Sequence, residues 1–142
     1  MATERSASMT WQGDLMSGSG EIDEAPSGAF GPLQVTWRAR AEESDGKTSP
    51  EELLAAAHAT CFAMALSHAL AQAGHAPERL QTSATVTFVP GTGVTRSALT
   101  VKGTVPGVSE EEFRAAAEDA KENCPVSKAL GGVEKTLEAQ LQ

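Results

Sequence analysis

The chain has 142 residues, a net charge of −8 and a hydrophobic fraction of 40%. This length favours a single domain, residues 1–142, that can bury a core without a metal or a disulfide. The acidic balance argues against nucleic acid or an anionic membrane surface as a partner. The first nine residues lack the apolar segment of a signal peptide, so we expect a cytoplasmic protein.

The N-terminal third predicts three short strands. Residues 9–14 and 17–22 form two of them, and we expect Trp11 to be their large buried anchor. Residues 33–41 alternate between apolar and polar side chains, which is typical of a strand. On such a strand Arg38 and Arg40 would project from the same side.

Residues 49–73 predict one long helix, about 36 Å in length. Ser49 and Glu52 are spaced as a capping box, and Pro50 fits the first helical position. The segment is apolar over most of its circumference, so we expect it to be buried on several sides. It is long enough to cross a bilayer, but its alanines and its polar residues favour the core of a soluble protein.

Within this helix, a rotation of 100° per residue places Cys61 on a semi-polar stripe. The stripe also contains Glu51, His58, His68 and Gln72.

The C-terminal half predicts a hairpin from residues 80–89 and 94–105. A second helix follows at residues 109–123, with Ser109 and Glu112 as a capping box, and is broken at Pro125 before one more turn and a last strand at residues 133–141. The sum is an α+β fold of about six mostly antiparallel strands, packed on a long central helix and a second, broken helix.

Two cysteines, Cys61 and Cys124, are the main candidates for chemistry. Taken alone, each is also explained by packing, although Cys124 precedes Pro125 near a helix start, where a thiolate is favoured. His58 and Cys61 could supply only half of a zinc site, because the chain has no CxxC pair. No GxSxG elbow indicates a serine nucleophile.

The segments TSPEELLAAAHATCFAMAL and ENCPVSKAL resemble the OsmC/Ohr family of osmotically inducible and organic hydroperoxide resistance proteins. WQGDLMSGSGEI and VTWRARAEE are similar to its OsmC branch, so the resemblance covers essentially the whole chain. It implies an intertwined homodimer that reduces organic hydroperoxides, and more weakly hydrogen peroxide. It also implies no metal or flavin cofactor, and an external dithiol, of the dihydrolipoyl type, as the reductant.

The resemblance implies specific roles for four positions. Cys61 would be the peroxidatic thiol and Cys124 the resolving thiol, joined in a disulfide after each turnover. Glu51 matches the family's active-site glutamate, and Arg40 matches its arginine, with Arg38 as the alternative. Glu51 and Cys61 are about 15 Å apart along one helix, so a shared site would need Glu51 of one subunit at Cys61 of the other.

A second hypothesis keeps the same fold without catalysis. In it the protein binds a hydrophobic ligand or senses redox state, and its cysteines are structural or regulatory. Activity toward an organic hydroperoxide separates the two hypotheses.

Overall fold

The computed structural model describes residues 1–142, which form two compact units, Met1–Pro50 and Glu51–Gln142. The α+β class is confirmed: six strands form two three-stranded sheets, and four helices accompany them. Three of the four strand pairings are antiparallel, as predicted. The expectation of a single domain over residues 1–142 stays a prediction.

The first unit is built on a small antiparallel sheet in the order β1-β2-β3. Its elements are β1 (Met9–Gln12), β2 (Ser19–Ile22), β3 (Leu33–Val35) and α1 (Trp37–Ala41). Trp11 lies opposite Gly20, and a Cβ atom at that glycine would stand 2.7 Å from the indole ring. Trp11 is only half-buried, however, so it is not the buried anchor that we predicted.

The predicted strand at residues 33–41 is wrong in its second half, where the chain forms α1. The Thr36 hydroxyl accepts a hydrogen bond of 3.0 Å from the Ala39 N–H and so caps this helix. Alternation over five residues does not separate a strand from one helical turn, and the local cap decides for the helix. Arg38 and Arg40 are therefore about 200° apart around α1, rather than on one face.

The second unit combines a three-stranded sheet with three helices. Its elements are α2 (Pro50–Gln72), β4 (Arg79–Val89), β5 (Gly93–Thr104), α3 (Glu110–Asn123), α4 (Pro125–Ala129) and β6 (Glu134–Leu141). β4 and β5 form the predicted hairpin. β6 returns parallel to β5, so α3 and α4 lie on the crossover connection between neighbouring strands.

The core of this unit lies between α2, α3 and β5. Fully buried side chains come from all three: Phe62, Leu66 and Leu70 on α2, Leu99 and Val101 on β5, and Phe113 and Ala117 on α3. The Ser109 capping box, which begins α3, is present as predicted. At the centre, a Cβ atom added to Gly103 would meet the Phe113 ring at 2.7 Å, so only glycine allows this approach.

The semi-polar stripe predicted on α2 is not one surface. Glu51 and His58 are buried on the same face as Phe62, whereas His68 and Gln72 are exposed. Cys61 is half-buried at the edge of that face.

The opposite side of α2 is exposed. It carries several alanines and Met64, which is 69% exposed, together with the polar Thr60 and His68. By length and composition alone, α2 could also cross a membrane, as the core helix of a soluble protein often could.

Candidate active site at two cysteines

Two cysteines that are 63 positions apart in sequence meet in the second unit. Cys61 is on the fourth turn of α2, and Cys124 is at the junction between α3 and α4. The two sulfurs are neighbours at the first turn of α4, close enough for Cys124 to raise the pKa of Cys61, and both thiols are reduced. The packing of α2 against α3 and α4 therefore creates a dithiol that the spacing in the sequence could not reveal.

The first turn of α4 directs backbone N–H groups at both sulfurs. The Val126 N–H donates to Cys61 Sγ over 3.5 Å, and the Ser127 N–H donates to Cys124 Sγ over 3.4 Å. Pro125 occupies the first helical position, where its missing N–H costs nothing. Cys124 is the N-cap of α4, which confirms the predicted placement of its sulfur at a helix start.

The two thiols differ in accessibility. Cys124 is 1% exposed, whereas Cys61 is half-buried and can be reached from outside. Burial raises the pKa of Cys61, the Val126 N–H partly offsets this rise, and the neighbouring Cys124 raises the pKa further. The resting thiol is therefore mainly protonated at neutral pH, so a further positive charge would be needed to ionise it.

A buried histidine extends the site behind Cys124. His58 has no exposed surface, and its ring is held between two buried serines. Nδ1 is 2.6 Å from the Ser97 hydroxyl on β5, and Nε2 is 2.7 Å from the Ser127 hydroxyl on α4. Burial lowers the pKa of His58, and the charge of Lys135 lowers it further, so the ring is neutral at pH 7.

From the sequence, His58 was considered only as part of the semi-polar stripe and as half of a zinc site, and neither serine was identified. A signal for Ser127 existed, because it stands three residues after the N-cap Cys124, at a position that commonly contacts the capping side chain. Ser97 is one of several polar residues on β5, and no pattern in the sequence distinguishes it.

The two arginine candidates have different surroundings. Arg38 has a side chain that is 69% exposed and lies 3.4 Å from Glu42 and 3.7 Å from Glu43. Arg40 is half-buried. Because both acidic partners of Arg38 are exposed, Arg38 makes surface ion pairs of the kind that contribute little to stability.

Glu51 and Cys61 stand on one uninterrupted helix, so their backbones are about 15 Å apart along its axis. Glu51 is 7% exposed in the first turn of α2. Within one chain, the length of the helix keeps this carboxylate away from the thiol.

Metal ligands are not grouped in this structure. No three or more His, Cys, Asp and Glu side chains are arranged so that they could hold a metal ion. His58, which could have paired with Cys61, has both of its ring nitrogens bonded to serine hydroxyls.

Comparisons with known proteins agree on one family. Residues 42–138 match the family model for OsmC-like proteins. Peroxiredoxin OsmC of Escherichia coli K12 is 37% identical over 145 residues, covering 100% of this chain and 99% of the relative.

Solved structures share the fold at lower identity. An OsmC-like protein from Mycoplasma pneumoniae has a TM-score of 0.73 at 15% identity, covering 99% of both chains. An organic hydroperoxide resistance protein OsmC from Legionella pneumophila has a TM-score of 0.67 at 22% identity, covering 98% of this chain and 99% of the other. The family match over residues 42–138 and the full-length identity to the Escherichia coli relative place this chain in the OsmC family.

Proposed function

We propose that this protein is a thiol-dependent peroxidase that reduces organic hydroperoxides, and more weakly hydrogen peroxide. The identity to Peroxiredoxin OsmC supports a peroxiredoxin-like redox role. The observation that carries the finer proposal is the pair of neighbouring reduced thiols, Cys61 and Cys124, whose sulfurs accept from successive N–H groups of α4. A dithiol of this kind can be oxidised to a disulfide and reduced again.

Cys61 takes the peroxidatic role in this proposal, since it is the more accessible of the two thiols. Its thiolate attacks the terminal oxygen of the peroxide, the O–O bond breaks, and the alkoxide leaves as the alcohol after taking a proton. Cys61 becomes a sulfenic acid. Cys124, shielded from solvent, then attacks the Cys61 sulfur, so that water is released and a disulfide forms. An external dithiol of the lipoyl type restores both thiols and is itself oxidised.

An arginine supplies the positive charge that Cys61 needs. Since burial and Cys124 raise its pKa, a nearby guanidinium would favour the thiolate, and its N–H groups could stabilise the departing alkoxide. We assign this role to Arg40, with Arg38 as the alternative, from the family resemblance. The exposed ion pairs of Arg38 support the choice of Arg40.

A homodimer completes the proposed site. Glu51 would hold the arginine guanidinium in a bidentate pair at the Cys61 of the second subunit. The distance of about 15 Å between Glu51 and Cys61 along α2 supports a contribution across subunits. The mostly apolar surface that α2 leaves exposed in one chain supports a partner at this helix.

Intact mass spectrometry tests the redox assignment. After one equivalent of cumene hydroperoxide, wild type should lose two hydrogens, Cys124→Ser should gain one or more oxygens at Cys61, and Cys61→Ser should stay unchanged. If wild type and Cys61→Ser consumed the peroxide equally slowly with excess dithiol present, the peroxidase proposal would fail. The non-catalytic hypothesis would then replace it.

A further inference from the structure

A continuous chain of hydrogen bonds connects the buried histidine to the resolving thiol. The Cys124 thiol donates to the Ser127 hydroxyl over 3.1 Å, and that hydroxyl is 2.7 Å from His58 Nε2. His58 Nδ1 in turn lies 2.6 Å from the Ser97 hydroxyl. All four residues are at most 1% exposed, so water does not compete for these groups.

Two arrangements of the hydrogens fit these distances, because either ring nitrogen of the neutral His58 can carry the proton. Ser127 has one hydroxyl hydrogen, and its oxygen already accepts from the Cys124 thiol. In the arrangement that gives this hydrogen a partner, it points to His58 Nε2, which is then the unprotonated nitrogen of the neutral ring. Nδ1 then carries the ring proton and donates it to Ser97. In this arrangement His58 is oriented as a base toward Cys124, with Ser127 between them.

We propose that His58 acts through Ser127 as the base that ionises Cys124 in the second step of the reaction. This inference rests on the proposed peroxidase function and adds two positioning residues, His58 and Ser127, to it. The chemistry resembles the general use of an oriented imidazole to activate a thiol or hydroxyl nucleophile.

The step balances without any further reactant. The Cys124 proton moves to Ser127 as the Ser127 proton moves to His58 Nε2, which leaves a Cys124 thiolate. The thiolate forms the S–S bond with Cys61, and the S–O bond of the sulfenic acid breaks. The hydroxide leaves from the half-buried Cys61 and takes a proton from solvent to become water. His58 afterwards releases the proton it gained to solvent, so the net products are the disulfide and one water. Cys124 is oxidised and the Cys61 sulfur is reduced by the same pair of electrons.

The titratable groups around His58 are few. On its own helix they are Cys61, one turn later, and the buried Glu51, two turns earlier. Cys124 lies beyond Ser127, and Lys135 of β6 disfavours the protonated ring. Burial, with the charge of Lys135 added to it, lowers the pKa of His58 and keeps Nε2 unprotonated at pH 7. The thiolate formed beside the ring offsets the cost of charging it.

A matched pair of variants tests this relay. Ser127→Thr keeps the hydroxyl, and Ser127→Val has the same shape without it, so both add the same methyl group to a buried site. The readout is the cumene hydroperoxide concentration at which half of Cys61 becomes over-oxidised, because slower disulfide formation leaves the sulfenic acid exposed longer. Intact mass distinguishes the over-oxidised protein from the disulfide.

An ordinary thiol is about 3% ionised at pH 7, so loss of its base can slow the disulfide step by up to about thirtyfold. We expect the half-oxidation concentration of Ser127→Val to be about ten- to thirtyfold below that of Ser127→Thr at pH 7. The difference between the two variants should shrink as the pH is raised, because hydroxide then competes with His58 for the thiol proton. His58→Gln, compared with wild type, should show the same fall and the same recovery.

Three outcomes are informative. A ratio between the Thr and Val variants that does not change with pH would indicate a purely structural Ser127 and overturn the relay. If either Ser127 variant fails to fold, the comparison of His58→Gln with wild type decides in the same way. If wild type itself forms no disulfide with one equivalent of peroxide, the proposed function fails, and that result is distinct from a failure of the relay alone.

Discussion

At the scale of single residues, the site depends on one turn of backbone. Val126 and Ser127 each donate an N–H to one of the two sulfurs, and Pro125 shapes the turn that presents them. The position of Cys124 could be predicted from the proline that follows it. The meeting of Cys61 with the same turn could not, since it depends on how α2 packs against distant parts of the chain.

His58 should make the folded protein sensitive to acid. Its pKa is lowered in the folded state, so between that lowered value and about pH 6.5 the unfolded chain binds a proton that the folded chain does not. The free energy of unfolding should therefore fall with decreasing pH in this window, by at most about 1.4 kcal/mol per pH unit from this group.

Urea denaturation at pH 7.5 and pH 5 measures this effect. Acidification should destabilise wild type more than His58→Gln, because glutamine does not titrate. Protonation of carboxylates affects both proteins and cancels in the comparison. Equal losses in the two proteins would contradict the assignment of the lowered pKa to His58.

The choice between the arginines is testable in the first step of the reaction. We expect Arg40→Met to slow oxidation of Cys61 by cumene hydroperoxide about tenfold or more, since one unit of pKa changes the thiolate fraction by that factor. Arg38→Met is the matched control and should remain near wild type, because Arg38 is paired at the surface. Stopped-flow measurement under single-turnover conditions gives both rates, and the reverse order would assign the role to Arg38.

At the scale of elements, local signals were sufficient for most helices and strands. The long helix was predicted at residues 49–73 and runs from Pro50 to Gln72, and the capping box correctly starts α3. The error at α1 arose because five alternating residues fit one helical turn as well as a strand. Polarity on α2 was also a poor guide to its exposed face, because Glu51 and His58 are buried.

The contact between β5 and α3 predicts that alanine lowers stability at Gly103 but not at Gly132. Gly103→Ala would place a methyl group 2.7 Å from the buried Phe113 ring and should lower the free energy of unfolding by about 1–3 kcal/mol. Gly132→Ala has open space around its new Cβ atom and should change stability little. Urea denaturation of both variants checks the prediction, and equal stabilities would show that the Phe113 ring moves aside at no cost.

At the scale of the whole molecule, the exposed side of α2 is the feature that a single chain does not explain. The sequence predicted a helix buried on several sides, yet Met64 is 69% exposed in one chain. A mostly apolar helix surface of this kind commonly marks a protein interface. The proposed homodimer would bury it and would bring Glu51 of one subunit to the other.

Sedimentation equilibrium tests the dimer. Wild type should sediment as a dimer at micromolar concentration, and Met64→Glu should shift it toward the monomer, because a charge buried at an interface without a partner is costly. Ala115→Glu, on the exposed face of α3, introduces the same charge elsewhere and should leave the dimer intact. A wild-type monomer at all concentrations would refute the interface and the contribution of Glu51 across it.

The Cys124 sulfur, which caps α4, is also oxidised in the proposed reaction. In the reduced protein, Cys61 and Cys124 accept the first free N–H groups of this five-residue helix. A disulfide sulfur is a poorer hydrogen-bond acceptor than a thiol or a thiolate, so oxidation would weaken the hydrogen bonds from both amides. The Val126 and Ser127 amides should then exchange with deuterium faster in the oxidised protein. The first turn of α4 would thus be less ordered in the oxidised protein than in the reduced protein. A reductant could recognise the oxidised form by this difference in the backbone.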